Sequence, residues 1–266
     1  MLRLIMLLLA ALWLAPARAQ ELRLLAAELP PYTFRVPSSS VSEFPGPGRG
    51  IVFDVVSAMA KRVGHSGEIE FMPWRRAQQI AMSEPNVGIL ALTRTPERED
   101  KYRWLVKILT DDLVLVGGRG VDVSALDKVK DRPTGVLLRS GAQALLEDKG
   151  FSRIVAAPEE WMNARRLRER RIDAWLAPRL MVIYAYREVG GDPASLDIGA
   201  IVRPSEIWLA ASKSLPDAEA RKWQQAFEAM RADGSYQRIL AEYNQLKVEP
   251  LADDARRKNY EPVWTY

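Results

Sequence analysis

Short apolar runs alternate with segments of helical periodicity along most of the chain, and that alternation restricts the fold more than any other feature. Residues 22–27 read as a strand, and residues 51–63 as a helix with Val52, Val55, Val56, Met59 and Val63 on one stripe and Gly64 as the stop. A strand over 69–72, a short helix from Trp74 and a strand over 87–92 continue the series. A further strand spans 113–116, and Gly117-Gly118-Arg119-Gly120 then breaks the pattern. A second block reads strand 134–138, helix 142–149, strand 154–156, helix 159–170, strand 174–177 and helix 180–188. A strand over 207–211 and helices over 217–232 and 236–243 close the series. Strands separated by single helices at this spacing predict βαβ units, an α/β fold and mostly parallel sheets.

The first residues read as an address. Arg3 supplies a positive charge, residues 4–14 form an unbroken apolar run, and Ala17-Arg18-Ala19 is a small-x-small cleavage site. Eleven apolar residues fall short of the roughly twenty that span a bilayer. Residues 1–19 are therefore expected to be a cleaved signal peptide, with a soluble, periplasmic chain beginning near Gln20. Gln20 is not Cys, so the reading gives no lipid anchor. Losing Arg3 and Arg18 takes the formal charge from +4 to +2, a weak argument for nucleic acid. With no cysteine, neither disulfides nor Cys-ligated metals are expected. Residues 37–50, rich in Ser, Pro and Gly, read as one long surface loop.

Catalytic parts are sparse. The single histidine, His65, follows Gly64 at a helix end, where it reads as a cap or a solvated side chain rather than a general base. Gly46-Pro47-Gly48-Arg49-Gly50 matches no dinucleotide or phosphate loop. Asp111 and Asp112 are adjacent, and on a strand they would point to opposite faces rather than share a proton. The expectation is a binding protein, not an enzyme, with no cofactor and no metal. The run Arg165-Arg166-Leu167-Arg168-Glu169-Arg170-Arg171 reads as a solvated helix end, with Ala164 and Leu167 inward.

The most specific stretch is Thr93-Arg-Thr-Pro-Glu-Arg98, where a buried strand runs into Pro96 at the first turn of a helix. In open α/β sheets, strand C-termini face the ligand crevice, and a guanidinium grips a carboxylate with two parallel bonds. This run, with Leu29-Pro30-Pro31-Tyr32, Gly50-Ile-Val-Phe-Asp54, Arg139-Ser-Gly-Ala142, Asp173-Ala-Trp-Leu-Ala-Pro178 and Asp233-Gly-Ser-Tyr236, resembles the family 3 extracellular solute-binding proteins, the polar amino-acid binders of ABC importers. The resemblance covers nearly the whole chain after the leader. It implies a two-lobe periplasmic binding protein fold (type II) with two crossing hinge strands. Lobe one would be 20–113 plus 205–266, lobe two 117–200, and the hinges would lie near 113–117 and 200–207.

The resemblance also implies roles. Arg98 would grip the ligand carboxylate with Thr93 assisting, and Arg139 and Ser140 would approach from a helix N-terminus in lobe two. Tyr32 and Trp74 are the candidates for an aromatic face, and Trp104, Trp161, Trp175, Trp208 and Trp223 read as core. One position departs from the family. The acid that usually accepts the ligand ammonium falls, counting from Asp173, on Pro178, which offers neither charge nor N–H. Glu28 is the candidate substitute, and Arg76 and Arg179 add to Arg98 and Arg139 in suggesting an anionic ligand. The expected partners are a small molecule and a membrane permease, with no nucleic acid, and the expected state is a monomer. Two alternatives stay open: a sensory partner of a membrane receptor, and a cyclohexadienyl-dehydratase-like enzyme using Glu28 or Asp173.

Overall fold

Two five-stranded sheets carry the fold in a computed structural model that describes residues 21–35 and 48–243. The expected leader, Gln20 and residues 37–47 of the expected loop lie outside the described residues. The first part of the chain contains β1 (Arg23–Ala26), β2 (Phe34–Arg35), β3 (Gly48–Arg49), α1 (Ile51–Val63), β4 (Ile69–Phe71), α2 (Trp74–Ser83), β5 (Val87–Thr93), the single turn α3 (Pro96–Glu99) and β6 (Tyr102–Thr110). Next come β7 (Leu113–Gly117), β8 (Thr134–Leu137), α4 (Gly141–Asp148), β9 (Ile154–Ala157), α5 (Glu160–Arg168), β10 (Ala174–Pro178), α6 (Arg179–Glu188) and β11 (Asp197–Arg203). Strand β12 (Glu206–Ser212), α7 (Asp217–Ala232) and α8 (Ser235–Ala241) complete the described chain.

The first sheet has the order β4-β1-β5-β12-β6 and the second β11-β7-β10-β8-β9. Pairings β1 with β4 and β5, and β8 with β9 and β10, are parallel. Pairings of β12 with β5 and β6, and of β7 with β10 and β11, are antiparallel. Each lobe is thus a mixed sheet whose parallel half is the βαβ part that the sequence spacing marks. The antiparallel half comes from the strands that link the lobes, two of which the periodicity does not show. In β6 the alternation is irregular, and β11 is partly exposed throughout, so neither presents a clean two-residue period. The chain passes between the sheets at Asp111–Asp112 and at Pro204–Ser205. The first passage precedes the expected 113–117, because β7 already belongs to the second sheet.

Local chemistry explains the turn that places Tyr32. The amide N–H groups that open α1, those of Ile51, Val52 and Phe53, have no partner inside the helix. They donate to the carbonyls of Pro31 and Tyr32 at 3.0–3.1 Å. That contact brings Gly50 so close that a Cβ would sit 2.4 Å from the Tyr32 carbonyl oxygen, at a φ of +125°. Only glycine fits both conditions. At the other end of α1, Gly64 stops the helix in the left-handed conformation, as the sequence predicts.

Three readings change on the outer surfaces. His65 caps α1 through its backbone N–H, which donates to the Ala60 carbonyl at 2.9 Å, but its ring is not solvated. Its Nδ1 accepts from Gly67 N–H at 2.9 Å, so Nε2 carries the proton and donates to the Leu22 carbonyl at 2.7 Å. Trp175 and Trp223 are fully buried. Trp104 and Trp208 are instead half-exposed and hold the Arg94 guanidinium, 5.4 and 4.9 Å from their ring centroids. Trp161 is likewise half-exposed, because it faces a surface groove beside Arg165 and Arg168. On α5, Ala164 and Leu167 are buried while Arg165 pairs outward with Glu169, as the periodicity predicts.

Candidate functional site

The passage between the lobes is built around one carboxylate. Asp111 is buried; its backbone N–H donates to the Ser205 carbonyl at 2.9 Å, tying the two crossings together. Its Oδ2 accepts from the Tyr32 hydroxyl, which comes from the first lobe. The same oxygen accepts from the Leu180 N–H at 3.0 Å, at the start of α6 in the second lobe. Burial pushes the Asp111 carboxyl up to about 7, against the two donors that favour its charge, and neighbouring Asp112 adds like-charge repulsion. Leu180, Met181 and Ile183 of α6 pack into the core of the first lobe, so this helix touches both.

A pocket opens directly above, between the lobes. Tyr32 and Trp74 form part of its wall, with Ala91, Thr93, Thr95 and Arg98 from the first lobe. Leu137, Ser140, Gly141, Ala142, Glu160, Pro178 and Met181 face them from the second, and Arg203 and Ser205 come from the crossing. Position Ala91 bends β5 at a φ of +58°, opposite an irregularity in β12, which turns the strand end toward the cleft.

One side of the pocket is cationic. Arg98 is held by Pro96 at the first position of α3, and its Nη1 and Nη2 donate to the Thr93 carbonyl and to Gln78 Oε1, each at 3.1 Å. Neither acceptor carries charge. The adjacent acids are occupied elsewhere: Glu99 pairs with Arg94, and Glu97 bonds Thr95. The Arg203 side chain stands nearby with no hydrogen bond or ion pair among the described residues, its Nη2 3.4 Å from where a Gly141 Cβ would be. Burial lowers the pKa of both guanidiniums; repulsion by Arg203 lowers Arg98 further, while Glu97 partly offsets both shifts. Ser140 caps α4 by accepting from Gln143 N–H at 3.2 Å, which aims the helix N-terminus and its partial positive charge into the same space. Two guanidiniums without an ion pair and a helix N-terminus give this part of the pocket a positive charge that an anion would complement.

The pocket lining also includes an acid. Glu160, the first residue of α5, is 8% exposed, and its Oε2 accepts from Asn163 Nδ2 at 3.0 Å and Trp175 Nε1 at 2.9 Å. Burial pushes it up to about 7, the two neutral donors only partly compensating.

The structure therefore gathers Arg98, Thr93, Ser140, Tyr32 and Trp74 on one pocket, with Pro178 among them. Arg139, Arg76 and Glu28 lie outside it. Arg139 is exposed, at a left-handed φ of +60°. Exposed Arg76 sits on the outer side of α2, close enough to Glu70 to favour that carboxylate's charge. Glu28 pairs with Arg35 at 3.0 Å on the surface, and Asp173 faces Arg132 at 3.4 Å, so neither acid named for an enzymatic alternative reaches the pocket. Arg179 also does not line it. Arg203 and Glu160 are the residues that sequence reasoning misses. Arg203 lies on the unread strand β11. Glu160 has a signal, since Glu160, Asn163, Ala164 and Leu167 recur at helical spacing as the inward face of α5.

No family model matches the chain, and no curated protein does. Solved structures do. A histidine kinase sensor domain with similarity to periplasmic binding proteins is 16% identical with a TM-score of 0.72, over 85% of this chain and 97% of that one. An ABC uptake transporter substrate-binding protein from Streptococcus pneumoniae with bound histidine is 17% identical with a TM-score of 0.69, over 82% and 89%. The ancestral amino-acid-binding protein AncCDT-1, a precursor of cyclohexadienyl dehydratase, is 15% identical with a TM-score of 0.66, over 83% and 94%. These likenesses show that the chain has the two-lobe fold of periplasmic binding proteins.

Proposed function

We propose that this chain is a solute-binding protein of the family 3 type that captures a small carboxylate-bearing molecule between its lobes. The observation that carries the reading is the pair Arg98 and Arg203, two half-buried guanidiniums that face one pocket with no carboxylate bonded to either. Burying such charges without a counter-ion is costly, and a carboxylate seated there restores the balance with charge-assisted bonds. Arg98 belongs to the first lobe and the α4 N-terminus to the second. A ligand held by both favours the closed arrangement, with the segments around Asp111 and Ser205 as hinges.

Delivery to the permease of an ABC importer, in the periplasm after removal of the leader, is the use that fits such a device. The likeness to a kinase sensor domain gives the alternative, occupancy read by a membrane receptor. A thermal-shift screen of the purified protein against amino acids, dicarboxylates and aromatic acids tests the binding reading. A ligand present at 100 times its dissociation constant adds about 2.7 kcal/mol and visibly raises the melting temperature. The expected result is a stabilising carboxylate whose effect Arg98→Ala abolishes. A panel without a hit, or a hit indifferent to Arg98, overturns it.

A further inference from the structure

Pro178 leaves the pocket without an acid at the end of β10, yet the pocket is not without an acid. Glu160 reaches it from the start of α5, more than nine-tenths buried. Both of its bonds, from Asn163 and Trp175, go to Oε2 and come from uncharged donors. Among the described residues none donates to Oε1, and no Lys or Arg forms an ion pair with this carboxyl. The other buried carboxyl nearby is fully engaged: Asp111 spends its oxygens on Tyr32 and the Leu180 N–H. Glu160 is thus the acid of this pocket with an oxygen to spare, and the indole and amide that grip Oε2 fix its direction.

We infer that Glu160 receives a cationic group of the ligand, so that the solute is a zwitterion of the amino-acid class with its carboxylate on Arg98 and Arg203. The inference rests on the binding reading proposed above. A buried carboxylate without a counter-charge and two half-buried guanidiniums without one, on a single pocket, are complementary to a molecule that carries both signs. A plain carboxylate would satisfy the arginines and leave Glu160 uncompensated. A cation at Oε1 makes the charged form of Glu160 favourable, and the two neutral donors then become charge-assisted bonds. The same arrangement discriminates, because a site built to bond an amine rejects the analogue that lacks it.

Calorimetric titration of the purified protein with matched pairs tests this: L-glutamate against glutarate, L-phenylalanine against 3-phenylpropionate, and L-arginine against 5-guanidinopentanoate. For the best-bound member, wild type is expected to prefer the amino acid to its deamino partner by at least tenfold. Glu160→Gln, nearly isosteric, is expected to remove most of that preference while the deamino acid binds within threefold of its wild-type affinity. Equal wild-type affinity within a pair overturns the role of Glu160 without needing any variant, and so does an unchanged preference in Glu160→Gln. Binding of deamino acids that Arg98→Ala abolishes leaves the carboxylate seat standing while the amine seat falls. Failure of every compound to bind overturns both.

Discussion

The Tyr32 hydroxyl, from the first lobe, donates to the buried Asp111 carboxylate at the crossing, and that carboxylate also accepts the Leu180 N–H from the second lobe. One side chain thus gathers both lobes, and Tyr32 presents the rest of its ring to the pocket. Removing the hydroxyl with Tyr32→Phe leaves a buried carboxylate with one donor fewer, which costs about 1–3 kcal/mol. Urea unfolding followed by circular dichroism should show the loss. A change below about 0.5 kcal/mol would mean that the bond does not hold the crossing together.

Burial raises Asp111 and Glu160 to about 7 and Asp54 to about 6. Between about pH 4, where the unfolded chain gives up these protons, and about pH 7, the folded protein still holds them. Stability from these groups is fully present below the unfolded values and is lost as pH rises through the folded ones. Exposed acids held low, such as Asp233 at about 2, act in the opposite sense and only at more acidic pH. The unfolding free energy of the free protein, read from urea curves, should therefore be higher at pH 5 than at pH 7, by on the order of 5 kcal/mol. Asp111→Asn keeps an acceptor for Tyr32 and should shrink the difference; an unchanged slope would remove Asp111 from the account.

Much of the fold and part of the site are legible in the amino-acid sequence. Helices α1 and α7 read correctly to the residue; in α1, Val52, Val55, Val56 and Met59 mark a stripe and Gly64 a stop. The pocket position of Arg98, the proposed clamp residue, is legible because a strand, Pro96 and a guanidinium fall within six positions. Arg203 is not, since β11 is half-buried along its length and shows no period, and only pairing with β7 brings its end to the pocket. Arg139 misleads for a related reason: sequence places it beside the helix N-terminus, but its side chain is exposed and does not line the pocket. Side-chain direction at such points depends on tertiary contacts that local pattern does not contain.

Arg94 and Arg98 are one helical turn apart in sequence and have different partners. Arg94 sits over both the Trp104 and Trp208 rings and pairs with Glu99, away from the pocket. Arg94→Ala should lower stability by about 1–2 kcal/mol, the scale of a partly desolvated cation–π contact, and leave ligand affinity within twofold. Melting curves and titrations on the same preparation separate the two effects. A tenfold loss of affinity would place Arg94 in the ligand site.

Arg203 should show the reverse. Its guanidinium has lost part of its hydration, is repelled by Arg98 and gains only distant attraction from Glu97. In the free protein it is a source of strain rather than of cohesion, so Arg203→Ala should unfold at the same temperature as wild type or slightly higher. Binding should suffer, because a charge-assisted bond to a carboxylate is worth about 1.5–3 kcal/mol, which corresponds to roughly a 10- to 100-fold weaker dissociation constant. Sites that gain stability when a functional group is removed are those where binding set the residue. Melting in the absence of ligand and calorimetry with the best-bound carboxylate read the two quantities independently. A free variant less stable than wild type by more than about 1 kcal/mol, with affinity retained, would make Arg203 a structural residue of the crossing and leave the anion to Arg98 and the α4 N-terminus.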